Sequence, residues 1–201
     1  MEIQGSVVVV TGASSGIGLA TVCSFARAGT KVVLAARSSE TINAVAEELR
    51  ELGHEALALT TDVSDQTQVQ QLIDATCDYY GHLDILINNA GLGSAAFVAD
   101  ERADHFRQLF AVNVFGPLYA MQAAIPRMRQ HGGGLIINVS SGTAEPLFRA
   151  WSLMARARRL WTSSRIQLAR SWRLRISASL RFTRRTRRPM PRSICWATRN
   201  F

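Results

Sequence analysis

Val7-Val8-Val9-Val10-Thr11-Gly12-Ala13-Ser14-Ser15-Gly16-Ile17-Gly18 decides the fold. Four consecutive valines with no polar alternation read as a strand buried on both faces, as in a parallel sheet covered by helices. A glycine-rich turn follows directly. Gly16 to Arg27 then has helical character, and Gly29 is placed to end that helix. Strand, turn and helix in immediate succession are the context that a phosphate-binding loop requires. Gly12 suits the tight turn, Gly16 the approach of backbone to a pyrophosphate, and Gly18 the packing of helix on strand. The helix start offers free N–H groups and partial positive charge, with Ser14 and Ser15 adding hydroxyl donors. Out of context, the same residues would fit an ordinary glycine-rich turn.

The alternation continues along the chain. Lys31 to Ala35 is a second buried run, and Thr41 to Leu52 carries Ile42, Val45, Leu49 and Leu52 at helical spacing before a strand at Ala56 to Leu59. Asp65 or Ser64 caps a helix over Gln66 to Tyr80, followed by a strand at Ile85 to Ile87. A long helical stretch from about Asp100 to Gln130 precedes a fifth strand at Leu135 to Val139. This pattern predicts an α/β fold, a Rossmann-like doubly wound parallel sheet that stops after its fifth strand. Ligands of such sheets sit at the carboxyl ends of the strands, where the chain order reverses.

Strand two ends in Ala35-Ala36-Arg37. A carboxylate there would hold a ribose 2′-OH, whereas arginine suits a 2′-phosphate, so NADP(H) is expected over NAD(H), with NAD(H) the alternative. Read without a ligand, Arg37 is a solvated loop cation.

Together the G-x-x-x-G-x-G loop, Asp62-Val63, Asn88-Asn89-Ala90-Gly91, Asn113 in Val112-Asn113-Val114, and Asn138-Val139-Ser140-Ser141 resemble the short-chain dehydrogenase/reductase family over about residues 3–145. The resemblance implies an oxidoreductase that moves hydride between a nicotinamide cofactor and a small-molecule carbonyl or alcohol. It implies cofactor contacts from Gly12, Ser14, Ser15, Gly16, Ile17, Gly18, Arg37, Asp62, Val63, Asn89, Ala90 and Gly91, and catalytic roles for Ser141 and Asn113. Ser141 would orient the substrate carbonyl, and Asn113 would hold a water in a proton relay. Without the resemblance, Asn88 and Asn89 fit a turn, and Ser140 or Ser141 a helix cap. The resemblance also implies a homo-oligomer, but in the family a late helix pair builds that interface, and its replacement here sets this chain's own assembly in question. No metal is expected.

The family's proton donor is a Tyr 13 residues beyond that Ser, with a Lys four further on whose charge lowers the phenol pKa. Position 154 is Met154; the chain's tyrosines are Tyr79, Tyr80 and Tyr119, and its one lysine is Lys31. The Tyr-x-x-x-Lys motif is absent, which predicts negligible turnover, since a lost general acid costs roughly 10²- to 10⁴-fold.

Composition changes at the same place. A chain of 201 residues argues for one domain, and its net charge of +8 suggests a polyanionic partner. That average hides two parts. Residues 1–148 hold eight basic and 15 acidic residues, net −7, whereas residues 149–201 hold 15 arginines, all four tryptophans and no Lys, Asp or Glu. A dinucleotide-binding domain over 1–148 is therefore followed by an Arg/Trp-rich tail expected to be poorly ordered. A reading-frame slip in a GC-rich gene accounts for this change. Met154 to Thr162 can be encoded as ATG GCG CGA GCA AGG CGG CTG TGG AC plus any base, after a T that ends the Leu153 codon. Read from that T, the same bases give Tyr-Gly-Ala-Ser-Lys-Ala-Ala-Val-Asp, with the Tyr and Lys at the family's spacing. Neighbouring stretches behave alike, which places the slip between about Ser141 and Phe148. A nucleic-acid-binding tail built on Arg184-Arg185 and Arg187-Arg188 is the competing reading, and a membrane-surface helix is a further one; neither a specific nucleic acid nor a membrane is expected as partner. Three scattered cysteines cannot make a disulfide framework, and Val7–Val10 and Leu135–Val139 are far shorter than the ~20 residues of a membrane helix. A cytoplasmic location is expected.

Overall fold

The computed structural model describes residues 2–94 and 100–140, and the backbone of 175–178. Its elements are β1 (Val7–Thr11), α1 (Gly16–Arg27), β2 (Lys31–Ala36), α2 (Ser39–Glu51), β3 (Ala56–Thr60), α3 (Gln66–Tyr80), β4 (Ile85–Asn88), α4 (Ala103–Phe110), α5 (Gly116–Gln130), β5 (Leu135–Asn138) and β6 (Arg175–Ala178). The sheet order is β3-β2-β1-β4-β5-β6, and every pairing is parallel. The chain reverses direction across the sheet between β1 and β4, so the carboxyl ends of these two strands flank a crevice.

The valine run has a direct physical origin. Val8 and Val10 pack into a core with Val22 and Cys23 of α1 and Ile42 and Val45 of α2. Val7 and Val9 face the opposite core, with Val69 and Ile73 of α3 and Ala124 and Met128 of α5. All four valines are fully buried. Because alternate side chains face two different cores, no position tolerates a polar group. Each buried valine contributes about 1.5–3 kcal/mol relative to exposure.

Asp65 caps α3, its side chain accepting from Thr67 N and Gln68 N. The adjacent Ser64 does not; it donates instead to the Asp62 carboxylate.

Two features differ from the sequence reading. The long helix after β4 runs over Ala103–Gln130 as the sequence suggests but is not regular throughout, because a π-helical turn over Ala111–Phe115 joins α4 to α5. The sheet also does not stop at β5: Arg175–Ala178 pairs in parallel along it, in the register Leu135↔Arg175 to Asn138↔Ala178. The open edge of β5 presents unpaired backbone N–H and C=O groups that accept another strand whatever its side chains. The rest of the tail, and the order expected for it, lie outside the described residues.

Ala103–Gln130 is long and apolar enough to cross a membrane by length and composition. Its apolar face is used on the sheet, where Ala120, Met121, Ala124 and Met128 are buried in the second core.

Candidate functional site

At the carboxyl ends of β1 and β4 the backbone is held by side chains. Thr11 ends β1, and its hydroxyl accepts from Asn89 N and Ala90 N, both at 3.1 Å, while donating to Ile87 O at 3.4 Å. Asn89 returns the tie: its Nδ2 donates to Thr11 O at 3.0 Å and Gly12 O at 3.2 Å. The glycine loop is thereby fastened to the turn after β4. Only glycine permits this approach. A Cβ on Gly12 would lie 2.7 Å from Ala90 Cα, and one on Gly18 would lie 2.2 Å from Gly12 O.

The loop leads into α1 with an open amino end. Ser15 at the N-cap makes no side-chain capping bond, and no acidic residue stands in the first turn. The first N–H groups of α1 therefore keep their donor capacity and the positive end of the helix dipole, a combination suited to an anion. Helix α3, closed by Asp65, lacks this property.

A cleft of about 320 Å³ lies at the crevice. Its wall includes Gly12, Ser14 and Ser15 of the loop, Arg37 after β2, Asp62 and Val63 after β3, and Asn89, Ala90 and Gly91 after β4. Gly16, Ile17 and Gly18 do not line it. Gly16 has φ +57° and open space around its Cα, Ile17 is exposed, and Gly18 is buried under Asn89. Asp62 is set by its own turn, its Oδ1 accepting from Ser64 N at 2.9 Å and Ser64 Oγ at 2.7 Å. The structure adds lining residues that the sequence reading did not single out: Ala36, Ser38, Thr61, Leu92 and Val112. Thr11, the hub of the tie, was also passed over. Its position directly before Gly12 was the available signal.

Asn113 is buried in the π turn. Its Oδ1 accepts from Leu92 N at 3.1 Å and its Nδ2 donates to Leu92 O at 2.9 Å. The amide thus imitates a strand partner for Leu92 and joins the helix to the chain leaving β4. The bulge around it loosens the regular helical ladder, as π turns do. Ser141 lies outside the described residues.

The wall of the cleft contains no tyrosine and no lysine among the described residues. Lys31 opens β2, at the opposite end of the strand from Ala36 in the cleft. Its ammonium is 5.5 Å from the Tyr80 ring centroid and 4.0 Å from Glu55. Burial, followed by the Glu55 charge, pushes the Tyr80 phenol up to about 12, away from the range of a proton donor at neutral pH. Also among the described residues, no three His, Cys, Asp or Glu side chains converge as metal ligands.

The geometry fits a dinucleotide by its own features: an uncapped helix start, a glycine cradle that a Cβ would fill, and a cleft running from that loop past Arg37 to Asp62. Comparisons with known proteins agree. The short chain dehydrogenase family model matches residues 6–153. An uncharacterized oxidoreductase of Methylorubrum extorquens is 40% identical over 147 residues, covering 73% of this chain and 58% of that protein. A short-chain dehydrogenase/reductase of Burkholderia phymatum, solved in complex with NAD, superposes with a TM-score of 0.77 at 31% identity, over 81% of this chain and 58% of that one. A 7 alpha-hydroxysteroid dehydrogenase solved with NADH and 7-oxo glycochenodeoxycholic acid gives 0.75 at 31% identity, over 79% and 62%. The chain spans about three-fifths of these relatives' lengths. Over the strands and loops that build the cleft, it belongs to the short-chain dehydrogenase family.

Proposed function

We propose that residues 1–148 form the cofactor-binding part of an oxidoreductase that prefers NADP(H), and that this chain binds the dinucleotide without turning over a carbonyl or alcohol substrate. The observation that carries the reading is the cleft itself, which joins the glycine loop, Arg37 and Asp62 in one wall that, among the described residues, holds neither Tyr nor Lys. When bound, the nicotinamide would supply or accept hydride.

The chain's own residues have separable tasks. The amino end of α1, with Ser14 and Ser15, binds the pyrophosphate, while Gly16, Ile17 and Gly18 shape that end. Arg37 pairs with the 2′-phosphate. Asp62 and Val63 face the adenine, and Asn89, Ala90 and Gly91 line the adenosine ribose. Asn113 and Ser141 are what remains of the catalytic group. With no phenol beside an ammonium on the cleft wall among the described residues, no side chain there is set to deliver a proton to a substrate oxygen.

The missing pair follows from a frame slip between Ser141 and Phe148, which leaves 149–201 out of frame. The family match, ending at residue 153, is in keeping with a likeness lost in this region. Substrate class and homo-oligomer assembly would depend on the displaced residues.

Fluorescence titration of the full chain tests the binding claim. NADPH is expected to saturate and to bind more tightly than NADH. Arg37→Ala should weaken NADPH about tenfold, the worth of one charged hydrogen bond, and leave NADH unchanged. Equal weakening of both would remove the assignment of Arg37. Steady NADPH consumption with a small ketone would refute the inactive reading. Sequencing codons 138–165 decides the slip: an intact frame with no one-base correction that restores Tyr-x-x-x-Lys ends that part of the proposal.

A further inference from the structure

Beside the cleft, the carboxyl ends of β4 and β5 and the start of α5 enclose a second cavity of about 10 Å³, bounded by Asn88, Asn113, Pro117, Asn138 and Ser140. That is the lower limit of space for one water molecule. Its polar groups are unevenly served. Asn88 Nδ2 donates to Asn138 Oδ1 at 2.8 Å, linking the two strand ends. Asn138 Nδ2 reaches the Met121 sulfur at 3.9 Å, a weak acceptor. Asn113 has both ends of its amide engaged by Leu92, so it serves as wall. The Ser140 hydroxyl is buried and has no hydrogen-bond partner among the described residues. Natural structures rarely leave such a group unserved, because desolvating a hydroxyl without a partner is costly.

We infer that Ser140 is a positioning residue: its hydroxyl and the Asn88–Asn138 amide pair hold one ordered water that locks the carboxyl ends of β4 and β5 together. The wall is mainly apolar, but it has room for one molecule, and the Ser140 hydroxyl with the Asn88 and Asn138 amides are the polar groups that molecule would meet. Fixing these ends matters because β4 runs into Asn89-Ala90-Gly91 of the cleft wall, and Ser140 is followed directly by Ser141. The water acts through backbone placement and touches no ligand.

Two readouts on the full chain test this. In ¹⁵N-labelled protein, the side-chain amides of Asn88 and Asn138 should show rotating-frame cross-peaks to a long-lived water, and Ser140→Ala should abolish them. The sign of the Tm change is the second readout. Losing a water anchor lowers Tm in Ser140→Ala, whereas removing a hydroxyl that truly lacks a partner raises it. Wild-type protein without the cross-peaks, cross-peaks that survive Ser140→Ala, or a raised Tm would each overturn the proposal.

Discussion

A methyl group on Gly18 would sit 2.2 Å from the Gly12 carbonyl oxygen and 2.5 Å from Asn89 Nδ2, the atoms that fasten the loop to β4. Gly18→Ala therefore forces the loop and the β4 turn apart, at about 1–3 kcal/mol or more. Gly16 differs. Its φ of +57° penalises a side chain, yet nothing lies within 4 Å of where a Cβ would go. Gly16→Ala should cost about 1–2 kcal/mol for the left-handed conformation, and Gly16→Asn less, since asparagine visits that region more readily. Urea midpoints at constant slope check this order, with Gly18→Ala and Gly18→Asn both lowest. Stability after Gly18→Asn equal to that after Gly16→Asn would contradict it. Separate tasks for the three glycines are already expected from their spacing after β1. What that spacing could not give was the identity of Gly18's neighbours, because Asn89 lies 71 positions away and meets the loop only across the sheet.

Strands β1 to β5 and helices α1 to α3 were legible because their signals are local: apolar runs, helical spacing, an Asp cap and a glycine stop. The π turn was not: the contact that goes with it, Asn113 gripping Leu92, is tertiary and leaves the apolar spacing from α4 into α5 almost unaltered. Strand β6 did have a signal. Trp172-Arg173-Leu174-Arg175-Ile176-Ser177-Ala178 alternates apolar with polar, the period of a strand with one covered face, within a segment whose dominant feature is its arginine content. Helices α3 and α5 are tied across their exposed sides by Arg127, whose Nε and Nη2 both donate to Asp74 Oδ1, at 3.2 and 2.6 Å. Gln70, then Arg127, hold the Asp74 carboxyl below its ordinary value of 3.8. A lowered folded pKa means stability that is present above the ordinary value and lost as pH falls through the folded one. Arg127→Met should lower Tm at pH 7, by an amount limited by the partial exposure of both groups. The gap from wild type should narrow as pH drops below 3.8. A gap independent of pH would assign the effect to the packing of the arginine stem.

At the scale of the whole molecule, the order β3-β2-β1-β4-β5-β6 puts the cleft between β1 and β4, inside the acidic part, while 15 of the chain's 22 arginines lie beyond residue 148. The acidic part has a net charge of −7, and the tail carries 15 arginines with no acidic residue. A segment of that charge displaces counterions from any polyanion, so affinity for duplex DNA should be high at low salt and fall steeply as salt rises. If the tail is an out-of-frame product, this binding carries no selection for sequence. Filter binding of the full chain across a salt series should then give a steep logarithmic slope, with unrelated duplexes competing equally. On the frame-slip proposal, the product of a gene corrected by one base should lose the DNA affinity and gain NADPH-dependent turnover, because the corrected frame would replace the arginine-rich tail and restore the Tyr and Lys. A corrected chain that still binds DNA would separate the charge from the slip. A marked preference of the present chain for one duplex would make its tail a selected nucleic-acid surface.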